Sequence, residues 1–436
     1  MNAFDRVKGM DRIFCGLYLL LGYGFIWMFT NSTSTWCLPV YTVFYAAVVL
    51  LYARTLGIRP VKESWFWFVI LLILGISQEI DNGMMVGRFL ALLLVAAYWT
   101  FAVSGRLLDQ GRTSGWILFD GWNALGMVPF TNMDALIRVL FHQKSGDGEQ
   151  DKTSLSEMKA VALGFGIAAV LLCILLPLLS GADAGFEMLT GDVADWITAH
   201  LLEFALRMCF AIPVSFYLFG LTFGGLTGRH TEYIKEDMLK KTKNQIQILP
   251  VPAAVTTFVL ICGVYILFIG LQGSYLFSAL AGKLPEAFTY AEYARRGFFE
   301  LCQVSVWNLC ILIMSDLFTS RKDKQFMCLK GMNVCLSVLT LLLITTAIGK
   351  MFLYISAYGL TAYRILSLTF MLWLTIIFVG WIIRQWRTFP LARISILTGA
   401  VLYTLLCVLP MSSLCRYYNL WAHIFQLTYH TKSMGT

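Results

Sequence analysis

Ionised and amide side chains inside otherwise apolar runs are where this sequence could do chemistry. His200, Glu203 and Arg207 lie three and four residues apart in one such run, so a helix brings them to one face. Further on, Arg296, Glu300, Gln303 and Trp307 share a helical face, with Asn308 beside them, as a polar stripe descending into an apolar segment. Lys350 and Arg364 flank a third place, Tyr354–Thr361 (YISAYGLT). A charge at the bilayer centre costs ~2.5–3.5 kcal/mol on insertion scales, so such residues are candidates for a substrate or ion pathway. Each also has a plainer reading. Glu203 with Arg207, and Arg296 with Glu300, have the spacing of intrahelical ion pairs, while Lys350 and Arg364 can snorkel from helix ends. Asp316, near Arg321 and Lys322, reads as facing water.

The templates of soluble catalysis are missing. His142, His200, His230, His423 and His430 show no HExxH or comparable ligand spacing, and no GxSxG elbow or Walker-type loop occurs. Gly220–Gly228 (GLTFGGLTG) reads as a Gly-rich helix end. The 11 cysteines fall mostly within apolar runs, without CxxC spacing, so they read as small hydrophobes. Cys37 and Cys415 both fall near the outer face, but nothing in the sequence pairs them. The acidic set Asp183, Glu187, Asp192 and Asp195 has oxygen ligands suited to Ca²⁺ or Mg²⁺, yet reads more simply as a loop kept acidic for topology. No catalytic residue, metal ligand or cofactor site is therefore assigned, and an enzyme is not the expectation.

The elements that must position these residues are membrane helices. The chain of 436 residues is 58% hydrophobic and only 13% charged, about half the usual charge of a soluble chain, with a mean hydropathy of +0.71. The net charge of +8 lies in short loops between apolar runs rather than in one patch, which argues against nucleic acid as a partner. At 1.5 Å per residue a ~30 Å hydrocarbon core asks for ~20 apolar residues, and about eleven runs approach this. They lie near Ile13–Thr30, Cys37–Ala53, Trp65–Ser77, Val86–Val103, Ala160–Ser180, His200–Thr222, Ala253–Gln272, Arg296–Phe318, Gly331–Gly349, Tyr363–Ile383 and Ile394–Met411. The first follows Arg6, Lys8 and Arg12 and reads as an uncleaved signal anchor.

Lys and Arg then alternate between loops, with Arg54–Lys62, Arg106–Lys159, Arg229–Lys243, Arg321–Lys330 and Arg384–Arg393 on one side. That bias marks the cytoplasmic side, giving an all-α polytopic bundle with its N-terminus cytoplasmic and its C-terminus outside. The expected organisation is a four-span bundle over 1–104, a cytoplasmic amphipathic or re-entrant segment and linker over 105–159, and a seven-span region over 160–436. Within the middle part, Gly115–Phe130 (GWILFDGWNALGMVPF) is aromatic and too interrupted to span, and Ser145–Lys152 is a solvated linker.

Before the span near 296–318, Thr289 is a candidate N-cap, and Glu292 has helical spacing to Arg295 and Arg296. Tyr290–Leu301 (YAEYARRGFFEL), followed by Asn308, and Lys350–Arg364 (KMFLYISAYGLTAYR) resemble the signature stretches of a family of uncharacterised bacterial membrane proteins. That family is the domain of unknown function 4173, with its relative 4153. Tyr290, Glu292, Tyr293, Arg295, Gly297, Phe298 and Phe299 carry the likeness in the first stretch, and Tyr358, Gly359 and Thr361 in the second. The likeness covers most of the second half and the span pattern of the first. It implies a multi-pass protein of the bacterial plasma membrane with no established activity. The tail Ser412–Thr436 is shorter than the family's usual external tail.

The favoured expectation is a transporter, flippase or channel-like protein with an outward-facing polar cavity built from Glu203, Arg207, Arg296, Glu300 and Asn308, acting on a small-molecule or lipid substrate. Its rival is a sensor or scaffold in envelope assembly or signalling, using Gly115–Phe130 and Lys235–Lys243 to hold a protein partner or anionic membrane lipid. An intramembrane enzyme on a lipid-linked substrate, with Glu300 or Glu203 as acid or base, is the third.

Overall fold

In the computed structural model the described residues are 9–30, 36–80, 84–141, 184–231, 245–278, 290–319 and 326–434, with isolated positions between. Regular structure among them is all helical, and nine helices are long and apolar enough to cross a membrane. The first four are α1 (Gly9–Thr30), α2 (Cys37–Thr55), α3 (Lys62–Ser77) and α4 (Met85–Val103). α3 has 16 residues, about 24 Å at 1.5 Å per residue, and is short for a span. The aromatic segment becomes a broken run: α5 (Ile117–Trp122), a π-helical turn (Asn123–Met127), α6 (Val128–Thr131) and α7 (Asp134–Phe141). Then come α8 (Ala184–Thr227), α9 (Val251–Ser278), α10 (Tyr290–Phe318), α11 (Phe326–Tyr358), α12 (Ala362–Arg384), α13 (Leu391–Val408) and α14 (Met411–Met434). The expected span at Ala160–Ser180, the linker Ser145–Lys152, most of the basic stretch Lys235–Lys243 and the Thr289 cap lie outside the described residues.

Two places differ from expectation. α8 is one helix of 44 residues, so Glu187, Asp192 and Asp195 fall on a helix rather than in a loop; its apolar window is Glu203–Thr227. The tail is also helical. α14 is too polar for a spanning helix, and Asn419 ties it down: its Oδ1 accepts from the Leu360 N–H (2.6 Å) and its Nδ2 donates to the Leu360 carbonyl (3.1 Å).

The chain forms two compact units. The first joins the 1–60 and 122–232 parts of the chain. Here α8 packs against α1, α6 and α7. Small residues let backbones meet, as they do wherever helices associate without water to drive them together. Gly22 of α1 faces Ala211 and Ser215 of α8 with no room for a β-carbon. Beside this crossing the Tyr18 hydroxyl donates to Thr222 Oγ1 (2.8 Å).

The Gly-rich run has a structural task in this unit. Gly220 and Gly224, one turn apart, form the groove in which the α6–α7 corner rests. A β-carbon at Gly220 would lie 2.6 Å from the Pro129 carbonyl oxygen, and one at Gly224 would lie 2.5 Å from Asn132 Nδ2. Asn132 is fully buried and donates to the carbonyls of Val128 (2.9 Å) and Arg229 (3.0 Å). Arg229 grips Asp134 with two nitrogens, at 2.9 and 3.0 Å, which holds that carboxyl below its usual range. The fork–fork pair fixes α7 at the end of α8.

The second unit joins 61–121 to 233–436. α11 lies against α9, α10 and α12, and α13 bridges α12 to the α3–α4 hairpin. Phe298, Leu312, Leu336, Leu343 and Phe378 belong to one buried cluster. On α10 the described buried positions are 298, 301, 305, 308, 312 and 315, alternating steps of three and four, and Thr319 just past its end continues the pattern. That is the narrow seam of a helix buried along one stripe, with its other faces toward lipid.

Gly220→Ala should lower stability by about 1–3 kcal/mol, because its new methyl meets backbone that cannot rotate away. Thermal unfolding of the detergent-purified protein, with Gly263→Ala at an open position as control, reads this directly.

Candidate functional site

The stripe proposed along α10 divides into two faces. Glu300 and Gln303 are exposed, and Trp307 is 69% exposed, on the outward side of the helix. Asn308, one residue and about 100° further round, is fully buried in the seam. Its Oδ1 accepts from the Tyr265 hydroxyl of α9 (2.7 Å), and its Nδ2 donates to Thr340 Oγ1 of α11 (2.9 Å). Thr340 passes its own proton to the Leu336 carbonyl (2.7 Å). Asn308 therefore joins three helices through a closed set of bonds. Tyr290, Glu292, Tyr293, Arg295 and Arg296 lie on the first turns of α10, with side chains outside the described residues.

Gly297 explains itself through Lys350. The Lys350 side chain of α11 is 2% exposed and lies across α10 where Gly297 has no side chain; Nζ, Cε and Cδ all occupy the space a β-carbon would take. Lysine does not snorkel here: it is buried. Glu300, one turn along α10, is the carboxylate whose charge acts on it. Of the motif's aromatic pair, Phe298 enters the core and Phe299 faces out.

The second motif makes a capped turn. Gly359 has φ +79°, a backbone conformation that L side chains rarely adopt, and it ends α11. Arg364 donates to the Gly359 carbonyl and stacks its guanidinium 4.1 Å from the centre of the Tyr354 ring. Tyr358 and Thr361 are exposed beside the turn. Arg364 thus serves as a positive cap on a helix C-terminus.

In the first unit Glu203 and Arg207 pair across one turn of α8, with Arg207 the more buried. The side chain of His200 lies outside the described residues. Cys37 and Cys415 are free thiols. Asp316 pairs with Arg384 of α12 at 2.9 Å, which places it at a helix–helix contact.

Sequence reasoning missed two further clusters. Arg88, at the start of α4, is 3% exposed and donates to the carbonyls of Ser77 and, at 2.7 Å, Ile80, capping the end of α3. The other joins α3, α4, α13 and the 104–116 connection. Glu63 is 7% exposed, pairs with Arg393 at 2.5 Å and accepts from the Thr113 N–H at 3.4 Å. Trp67 Nε1 (3.0 Å) and the Tyr98 hydroxyl (3.2 Å) both donate to Thr113 Oγ1. Close by, Asp120 is fully buried and accepts only from the Leu108 N–H (2.9 Å); its Oδ2 has no partner among the described residues. Burial pushes its carboxyl up to about 7. A lone carboxylate inside an aromatic run was the available signal for Asp120.

A family model covers most of the chain. Residues 66–429 match the domain of unknown function DUF4153. The protein belongs to the DUF4153 family. Both stretches that suggested the resemblance, Tyr290–Leu301 and Lys350–Arg364, fall within the match. No curated protein and no solved structure matches the chain. Among the described residues of this DUF4153 member, the buried Lys350, the Asn308 junction and the Asp120 carboxyl are polar groups held inside the helix contacts.

Asp120 has a raised folded-state value, so the native state holds the proton from about pH 4 up to about 7. Its contribution to stability is full below that window and falls as pH rises through it. Asp120→Asn, which keeps the Oδ1 acceptor, should flatten the decline in thermal midpoint between about pH 4 and 7. An unchanged slope in the variant would place the titration elsewhere.

Proposed function

We propose that this integral membrane protein is a transporter, flippase or channel-like protein whose working element is the α10–α11 pair around Lys350. The observation that carries this is an ammonium group buried inside a spanning helix, lodged against Gly297 with the Glu300 carboxylate as its neighbouring charge. Ionisable groups at such positions are retained for pathways and coupling more readily than for stability, since an apolar side chain of the same volume packs as well or better. The polar pathway expected from the sequence shrinks accordingly. Asn308 belongs to the bundle's internal bonding, while Glu300 and Gln303 line the open side of α10. The loop charges support a cytoplasmic N-terminus and an external C-terminus, with α3 and the Ala160–Ser180 run completing eleven spans. In that orientation Lys350 faces the outer half of the membrane.

A second reading, a sensor or scaffold, draws on the broken α5–α6 segment. Trp122 (62%) and Phe130 (61%) are exposed on helices too short to span, which suits an interfacial contact with lipid head groups or a partner.

The test places a single cysteine at 350, or at the exposed reference position Tyr358, in a background without reactive native thiols. A membrane-impermeant thiol reagent is then applied from each side of sealed vesicles. Labelling at 350 from the outside, slower than at 358, is expected of a site that opens to water. In parallel, Lys350→Met should fold with an equal or higher thermal midpoint. Complete protection at 350 in protein that labels at 358 would reduce Lys350 to packed polarity and leave the scaffold reading ahead.

A further inference from the structure

Hydroxyl side chains on the spanning helices of this protein mostly bond back to a carbonyl three or four residues earlier, as Ser305, Ser337, Thr340 and Thr346 do. Such bonds are the usual way for Ser and Thr to satisfy themselves inside a helix. Four buried polar atoms at the other end of the α10–α11 pair break the rule. Ser315 Oγ on α10, Thr319 Oγ1 just past its end, Asn333 Oδ1 on α11 and Trp381 Nε1 on α12 have no hydrogen-bond partner among the described residues. Each residue is at least nine-tenths buried, at 6%, 2%, 9% and 5% exposed. A single unsatisfied buried group costs about 1–3 kcal/mol, so four in one place call for an explanation.

All four line the same cavity, of about 430 Å³. Its charged walls, among the described residues, are Lys330, Arg384 and Asp316. Arg384 reaches Asp316 through Nη2 and lies 5.4 Å from the Trp381 ring centre. The lining is donor-rich: an indole N–H can only donate, the two hydroxyls are able to, and the cations hold no acceptor. A ligand that satisfies the indole and hydroxyl donors must offer several acceptor oxygens, and Asn333 Oδ1, an acceptor, asks in turn for one donor such as a P–OH or a head-group hydroxyl; Lys330 and Arg384 in the wall favour a negative charge. Arginine, lysine, indole and hydroxyl donors converging on one pocket suit a phosphate group, tetrahedral and rich in lone pairs.

A second, apolar groove of about 590 Å³ is also lined by Ser315. Ile248, Leu249, Phe258, Trp307 and Met314 form its walls. A polar cavity and an apolar groove sharing one residue match an amphiphile with a charged head and a hydrocarbon tail. Lys330 and Lys350 lie on the same helix about 30 Å apart, so the two sites stand roughly a hydrocarbon core apart.

We propose that the cavity between α10, α11 and α12, lined by Ser315, Thr319, Asn333, Trp381, Lys330 and Arg384, binds a phosphate group. The source is a membrane phospholipid head group or a soluble phosphate. The site is independent of Lys350, and its test does not depend on transport.

The full-length protein in neutral detergent is titrated with inorganic phosphate against chloride at equal ionic strength, and separately with phosphatidylglycerol in mixed micelles; the thermal midpoint is followed. A saturable rise is expected with at least one probe. A rise with both identifies the phosphate itself as sufficient, and a rise with lipid alone assigns the head group. Thr319→Val and Trp381→Phe each delete a group that has no internal partner. Both variants should keep or raise the ligand-free midpoint while weakening apparent affinity about tenfold, the scale of one hydrogen bond to a charged group. Two variants guard against one misfolding, and Lys330→Gln adds a charge-only change. No saturable rise with either probe, or equal affinity in wild type and both neutral variants, overturns the proposal.

Discussion

Inside a bilayer no water is available to complete a hydrogen bond, and the arrangement of this protein follows from how each polar group finds a partner instead. Backbone groups are met by helix formation. Most Ser and Thr hydroxyls return to their own helix, as Thr222 does to Leu218 and Thr404 to Ala400. Side chains that cannot do so become the joints of the bundle. Asn308 links α9, α10 and α11; Arg88 closes the end of α3; Asn132 holds the α6–α7 corner on α8; Asn419 fastens α14 to the Gly359 turn. These joints spread across both units, so polar satisfaction rather than apolar burial gives the helix contacts their specificity. Lipid solvates leucine as well as another helix does.

Glycine supplies the complementary device. Gly22, Gly220 and Gly224 let backbones approach, whereas Gly297 makes room for the side chain of a charged residue. The first use is ordinary helix packing. The second lodges a buried ammonium group against a neighbouring helix, and that distinction turns Gly297 and Lys350 from two separate sequence features into one structural feature.

Set against this pattern of satisfaction, the groups left over gain meaning. Asp120 Oδ2 is one, and its carboxyl accommodates by holding a proton toward neutral pH. The four unbonded atoms around Ser315 and Trp381 form another set, within a cavity also lined by Lys330, Arg384 and Asp316. The α10–α11 pair thus carries Lys350 at one end and this cavity at the other, with the Asn308 joint between them.

The sequence by itself determined the class, the approximate positions of nine helices among the described residues that are long and apolar enough to span, the two motifs and the family, because length and hydropathy suffice to identify such a helix. Gly359 was legible too, since a glycine between two apolar runs marks a helix end. Tertiary structure alone decided which face of each helix is buried. On a uniformly apolar helix, lipid-facing and protein-facing positions are equally hydrophobic, so periodicity fails to separate Trp307 from Asn308. It also decided that Lys350 is buried rather than snorkelling, because the space it needs belongs to a glycine far away in sequence. The helical tail escaped hydropathy because α14 is held by Asn419 rather than by an apolar span. Ser315, Asn333 and Trp381 come from three helices and Thr319 from just past the end of one, and no spacing along one chain reveals that they meet.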